Sequence, residues 1–236
     1  MSDEQQSGAG RASAPGSAFF GRRKGKPLRQ HQALLMRELL PTLTVPLKAG
    51  AHPRGWFGYD AHDVWLEIGF GGGEHLTAIA QANPQIGFIG CEGFENGVAK
   101  ILHVIEEHRI GNIRLHPADA LDLLPLLPSA SIGRLYVLYP DPWPKVRQRK
   151  RRIISPAFIE HAARILKPGA LFRFATDIDD YSAWTLARML KSRDFVWLAN
   201  SSDDWTKSWD GWTRTRYEAK ALREDRNPAY LTFQRK

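Results

Sequence analysis

The stretch LEIGFGGGEHL, residues 66–76, sets Gly69, Gly71, Gly72 and Gly73 between an apolar run and a helix-forming one. Glycines are needed where a strand turns sharply into a helix and the backbone must approach a ligand without side chains in the way. The dinucleotide fingerprint requires glycine at its first, third and sixth positions, and the sixth position counted from Gly69 is Glu74. The spacing Gly69-x-Gly71-x-Gly73 therefore argues against NAD.

Around this turn the chain alternates. VWLEIGF, IGFIGCE, NIRLHP, RLYVLYP, ALFRFAT and DFVWLA read as strands, and helical spacing begins near Glu74, Asn96, Pro156 and Asp180. Such alternation predicts an α/β fold, a mostly parallel sheet with helices on both faces. Leu166-Lys167-Pro168-Gly169 is expected to stop a helix before ALFRFAT, and AYLTF supplies a last strand after a Trp-rich polar loop. Residues 64–236 are thus expected to form one domain. Before it, 19–63 hold a basic arm and a helix around Leu34 to Leu40, while 1–18, rich in Ser, Gly, Ala and Gln, are expected to be a disordered tail.

Composition narrows the partners. Lys and Arg outnumber Asp and Glu by 33 to 25, and the sequence pI near 9.7 favours a polyanion. The single cysteine, Cys91, excludes an internal disulfide framework and cysteine-rich zinc sites. No run of about 18 apolar residues and no secretory signal is present, so no membrane partner and a cytoplasmic location are expected. His103 and His108 stand five apart, a poor spacing for one helical face, and no HExxH occurs, so no metal is expected.

Acids mark the ends of successive strands. Glu67 lies within the first, Glu92 ends the second 23 residues after Gly69, and Asp119 follows the third in HPADAL. Ligands of open α/β sheets bind at this carboxyl rim. Each acid also has a plain alternative: Glu67 paired with a base, Glu92 capping a helix, Asp119 in an ordinary loop. His75 reads as structural or solvated. The glycine loop with its acids resembles the S-adenosylmethionine loop of Rossmann-like methyltransferases, whose cationic cofactor suits carboxylates. That resemblance implies that Glu67, Gly69, Gly71, Gly73, Glu92 and Asp119 bind S-adenosyl-L-methionine and release S-adenosyl-L-homocysteine.

A second stretch, LYPDPWPKVRQRKRR at 138–152, puts Asp141 between prolines and follows it with basic residues. LEIGFGGG, GCE, PADA, LYPDPWPK, KRR, ATD and TRTRYE, in this order, resemble the bacterial tRNA (guanine-N7-)-methyltransferase family from about Phe20 to the C-terminus. Pro144 departs from it, since the family usually has His there. The resemblance implies a class I fold, a mostly parallel seven-stranded sheet with an antiparallel C-terminal strand. It implies methyl transfer to N7 of guanine 46 in the tRNA variable loop. By the same resemblance Asp141 is catalytic, and Lys145, Asp177, Thr215, Arg216, Tyr217 and Glu218 contact the substrate.

Alternatives remain at this stage: methylation of another RNA base or a protein side chain, or a noncatalytic RNA-binding module. Monomer and homo-oligomer are both open. Asp177 has an N-cap alternative, and Arg216 with Glu218 a surface pair. Trp205, Trp209 and Trp212 form either a stacking platform or a cluster covering the core. The run Lys145, Arg147, Arg149, Lys150, Arg151 and Arg152, beside the rim, reads as phosphate-binding.

Overall fold

The computed structural model describes residues 20, 21 and 23–236. The tail expected over 1–18 lies outside the described residues, as do Phe19 and Arg22. Seven strands, β1 (Asp63–Ile68), β2 (Ile86–Cys91), β3 (Ile113–His116), β4 (Ile132–Leu138), β5 (Leu166–Thr176), β6 (Phe195–Trp197) and β7 (Ala229–Arg235), form one sheet in the order β3-β2-β1-β4-β5-β7-β6. Every pair from β3 to β5 is parallel, and β7 runs antiparallel to both β5 and β6. This is the expected sheet. Its order reverses between β1 and β4, where ligands of such sheets bind.

Strand alternation feeds two cores. In β2, Phe88 packs with Ile113 and Leu115 on one face, while Ile89 joins Leu66, Leu135 and Phe172 on the other. The first face is covered by α1 (Gln30–Glu38), α2 (Leu40–Leu43), α3 (Glu74–Ala82) and α4 (Glu95–His108). The second is covered by α5 (Ala120–Leu123), α6 (Pro156–Ile165) and α7 (Asp179–Met189). Ser155 caps α6 by accepting from the Phe158 N–H at 3.2 Å, and Pro156 takes the first helical position, where its missing N–H is not needed.

Two segments differ from the sequence expectation. The helix before ALFRFAT does end at Ile165, but Leu166 already pairs with Ile132, and Lys167, Pro168 and Gly169 form a bulge before pairing resumes at Arg134 and Leu171. Proline and a glycine at φ +79° are tolerated in a strand at such an interruption. After the short α8 (Asp203–Thr206), TRTRYE runs into an unexpected helix, α9 (Arg216–Arg223). Only Glu218 and Ala221 of α9 are buried and half of its residues are charged, so it offers no stripe of large apolar residues for the sequence to display.

One close approach positions the rim. A Cβ on Gly97, in the first turns of α4, would lie 2.3 Å from the Gly71 carbonyl oxygen, so only glycine lets α4 reach the loop after β1. Alanine gains about 1 kcal/mol of helix propensity, against overpacking of about 1–3 kcal/mol where the obstacle is backbone. Gly97→Ala should therefore lower the melting temperature by several degrees in a thermal melt, and Gly111→Ala, with nothing within 4 Å of its added carbon, should not. Equal melting temperatures for the two variants would refute this account of the packing.

Candidate active site

Gly69, Gly71 and Gly73 stand at φ +76°, +58° and +84°, the left-handed region that excludes most side chains, and this spacing matches the sequence reading. The loop is tied at both ends, with the Gly69 N–H donating to the Cys91 carbonyl at 2.8 Å and the Gly73 N–H to Phe70 at 2.9 Å. Glu92 braces its middle. One carboxylate oxygen accepts from the Gly71 N–H at 2.8 Å and the other from the Phe94 N–H at 2.8 Å. Burial raises the Glu92 carboxyl above its ordinary pKa and the Asp141 carboxylate adds to that, with the backbone donors opposing.

Asp119 caps α5, accepting from the Leu121 N–H at 3.0 Å. Between Glu92 and Asp119 lies Cys91, buried, its thiol pushed up first by burial and then by both acids, which leaves it protonated and inert. Glu67 takes the alternative foreseen for it. It is 3% exposed and bonded at 2.7 Å to the equally buried His75, whose ring packs against Tyr136 and Trp212. His75 and Glu67 thus form a buried structural pair joining β1 to α3.

PDPW begins where β4 ends. Tyr139 and Trp143 adopt φ +50° and +42°, left-handed positions that cost bulky residues about 1–3 kcal/mol each. Strain of this kind persists only where neighbours impose it. The Tyr139 N–H donates to Ala175 at 2.8 Å, and Arg151 stacks on both Trp143 and Phe20 at 4.9 Å. Asp141 itself has no hydrogen-bond or ion-pair partner among the described residues. Although the residue is open to solvent, the atoms packed around its carboxyl raise it above the usual value.

The remaining predicted residues divide. Lys145 is exposed just before the two-turn 3-10 segment Val146–Arg151. Asp177 is not the cap of α7, which is Ile178; it pairs with Arg226 at 2.6 Å. Thr215 caps α9 by accepting from the Glu218 N–H at 3.2 Å, and Glu218 is buried, accepting from Trp212 Nε1 at 2.5 Å and Tyr230 Oη at 2.7 Å. Arg216 therefore does not pair with Glu218. It reaches Glu74 at 3.7 Å, and its guanidinium and the Tyr217 ring each lie 3.1 Å from where a Cβ on Gly71 would be. The 215–218 segment overhangs the glycine loop.

Trp209 and Trp212 pack edge-on with Tyr230, and Trp205 packs on the main core, so the tryptophans form the covering cluster. Arg152 corrects the phosphate-binding reading of the basic run. Its side chain is fully buried, bonded to Pro142 and Asp180, and Arg149 also pairs with Asp180 at 2.8 Å, which leaves Lys145, Arg147 and Lys150 as the exposed cations. One grouping was not visible in sequence. His31 from α1 meets His103 and Glu106 of α4, their ligand atoms within 4.8 Å, on the exposed C-terminal half of α4, where His31 and Glu106 already pair at 2.7 Å. Among the described residues no helix is long and apolar enough to cross a membrane.

Solved structures support the fold alone. An rRNA methylase from Streptococcus thermophilus matches with a TM-score of 0.50 at 11% identity, covering 92% of this chain and 99% of that one. The [4+2]-cyclase SpnF also gives 0.50, at 18% identity over 86% of this chain and 80% of its own. One scaffold thus carries unlike chemistries, and the family must come from sequence. The profile described as "Putative methyltransferase" matches residues 61–230. The tRNA (guanine-N(7)-)-methyltransferase of Bradyrhizobium diazoefficiens is 54% identical, covering 92% of this chain and 93% of its own. Those of Nitrobacter winogradskyi and Rhodopseudomonas palustris are 51% and 50% identical, over 96% and 100% of this chain and 89% and 94% of theirs. At such identity over nearly the whole length, the chain belongs to the tRNA (guanine-N7-)-methyltransferase family.

Proposed function

We propose that this protein transfers a methyl group from S-adenosyl-L-methionine to N7 of guanine 46 in the variable loop of tRNA, in the cytoplasm. The observation that carries the reading is Asp141. It is an acid that finds no partner among the described residues, and its charge acts on Glu92, which braces the glycine loop. The left-handed glycines and the half-buried Glu92 fit a ligand with ribose hydroxyls and cationic groups, which a pyrophosphate would not match. When bound, the cofactor supplies an activated methyl group on a sulfonium.

Glu92, its oxygens already oriented by two backbone donors, keeps lone pairs for ribose hydroxyls. Asp119, at the next strand end, would hold the adenine. Arg216 and Tyr217 cover the loop from above. Guanine N7 carries an in-plane lone pair, so no general base is required and alignment is the larger demand. Asp141 orients the base and stabilises the positive charge that grows on its imidazole ring. Lys145, Arg147 and Lys150, exposed beside it, hold phosphates, a sequence-independent contribution to affinity. Asp177, held by Arg226, lies at the neighbouring strand end for the guanine edge.

Incubation with unmodified tRNA and labelled cofactor, followed by digestion to nucleosides, should place the label in 7-methylguanosine. Label confined to another nucleoside or to protein would overturn the reading. Asp141→Ala should lower kcat by about 10²–10³, the range for loss of one stabilising group, with cofactor affinity nearly unchanged. Wild-type turnover in that variant would remove the role given to Asp141.

Glu92 also makes binding pH-dependent. Its raised carboxyl takes up a proton above the ordinary carboxylate range, whereas a bound cation favours the ionised form. Affinity is therefore full above the raised pKa and falls as pH drops through it, and binding on the acid side releases protons. Calorimetry of cofactor binding in buffers of different ionisation enthalpy should record that release, diminished in Glu92→Gln. Proton uptake, or undiminished release in the variant, would contradict the assignment.

A further inference from the structure

The basic run after PDPW hides one residue that does not behave as a surface cation. The Arg152 side chain is 0% exposed, whereas Arg147, five residues earlier, is open to solvent. Burying a guanidinium costs several kcal/mol unless its donors are satisfied in good geometry. Here they are. Nε donates to the Pro142 carbonyl at 2.8 Å, Nη1 to the Asp180 carbonyl at 3.3 Å, and Nη2 to the Asp180 carboxylate at 2.5 Å. The guanidinium also lies 4.6 Å from the Tyr181 ring centre and 5.0 Å from that of Trp184. Asp180, drawn down chiefly by this bond, is shared with Arg149.

The location of these bonds matters more than their number. Pro142 directly follows Asp141 and precedes Trp143, whose φ of +42° needs an external restraint. As proline it offers the sheet no N–H, so its carbonyl is the handle by which the loop can be held. Asp180 lies in the first turn of α7, the helix that follows β5 and Asp177. Arg152 thus joins the loop that carries Asp141 to the helix that follows Asp177. A lysine could not span them, since its ammonium is a point donor on a flexible stem rather than a planar fork.

We propose that Arg152 is a positioning residue: by pinning the Pro142 carbonyl to the start of α7 it fixes the backbone that follows Asp141, and with it the direction of that carboxylate. The inference rests on the role given to Asp141 above. Arg152 touches no substrate, and its effect belongs in turnover rather than in tRNA affinity.

The test uses the full-length enzyme with Arg152→Lys and, as a milder lesion at the exposed partner, Asp180→Asn. Arg152→Lys should lower kcat by about 10²-fold, the scale set by an ångström of misplacement, with the KM for tRNA and cofactor affinity within about twofold. The slope of log affinity against log salt should stay at the wild-type value. Arg147→Ala should instead raise KM and reduce that slope by about one, as a lost phosphate contact does. Asp180→Asn should lower kcat in the same sense as Arg152→Lys. Amide hydrogen exchange in a peptide covering 138–145 should rise in both Arg152→Lys and Asp180→Asn.

Wild-type kcat in Arg152→Lys, or a slope reduced as in Arg147→Ala, overturns the proposal. If Arg152→Lys does not fold, unchanged kcat and exchange in Asp180→Asn do so. Exchange left at the wild-type level rejects the clamp whatever the activity. Absence of 7-methylguanosine from the wild-type reaction counts against the proposed function alone, because the exchange experiment reads the clamp without turnover.

Discussion

The loop after β1 has to turn within a few residues while leaving its backbone open to a ligand, and most of the architecture around it serves that constraint. Left-handed glycines permit the turn but do not hold it, because the same residues have the widest freedom in the unfolded chain. Holding comes from outside. Glu92 reaches back from β2 to the Gly71 N–H, Gly97 lets α4 press against the Gly71 carbonyl, and the Gly69 N–H extends the ladder to Cys91. Both polar groups of Gly71 are thus set by the strand and helix that follow, so the loop and the β2 to α4 connection form one unit.

The rim acids gain distinct characters from their partners. Glu92, Asp119 and Asp177 are each bound to a donor of the protein, two of them to backbone amides and one to Arg226. Such acids serve best as fixed acceptors whose direction is known before a ligand arrives. Asp141 is held by its backbone instead, between two strained residues and beside a clamped carbonyl. A carboxylate that finds no partner among the described residues, on a loop braced at both ends, suits charge that appears only during reaction, and that difference separates its proposed role from those of its neighbours.

Legibility in the sequence followed the range of the interactions. The strands, the glycine turn and the starts of α3 and α6 rest on local periods, capping residues and backbone conformation, and residues 66–76 and Ser155-Pro156 display them directly. The helix α9 does not, because what it buries is a carboxylate and an alanine rather than an apolar stripe. Nor could spacing separate Arg152 from Arg147. Both sit in the same charge run, and only the approach of α7, a contact 28 residues away in the chain, decides that one is enclosed. His31 meets His103 for a similar reason, through the packing of α1 on α4. Within the motif segments, burial decides which side chains are enclosed and which reach the surface.

The C-terminal segment illustrates how a buried charge can present exposed groups. Glu218 would be costly inside the protein without donors, and Trp212 and Tyr230 supply them from the preceding loop and from β7. Thr215 fixes the first turn of the same helix through the Glu218 amide. With residues 215 and 218 held inward, the positions between them must face outward, which brings Arg216 and Tyr217 over Gly71. Tyr139, whose hydroxyl lies beside Tyr230 and Glu218, carries the same packing to the start of PDPW. The cover of the glycine loop and the entrance to the Asp141 loop therefore share one polar core, and the same buried carboxylate braces both.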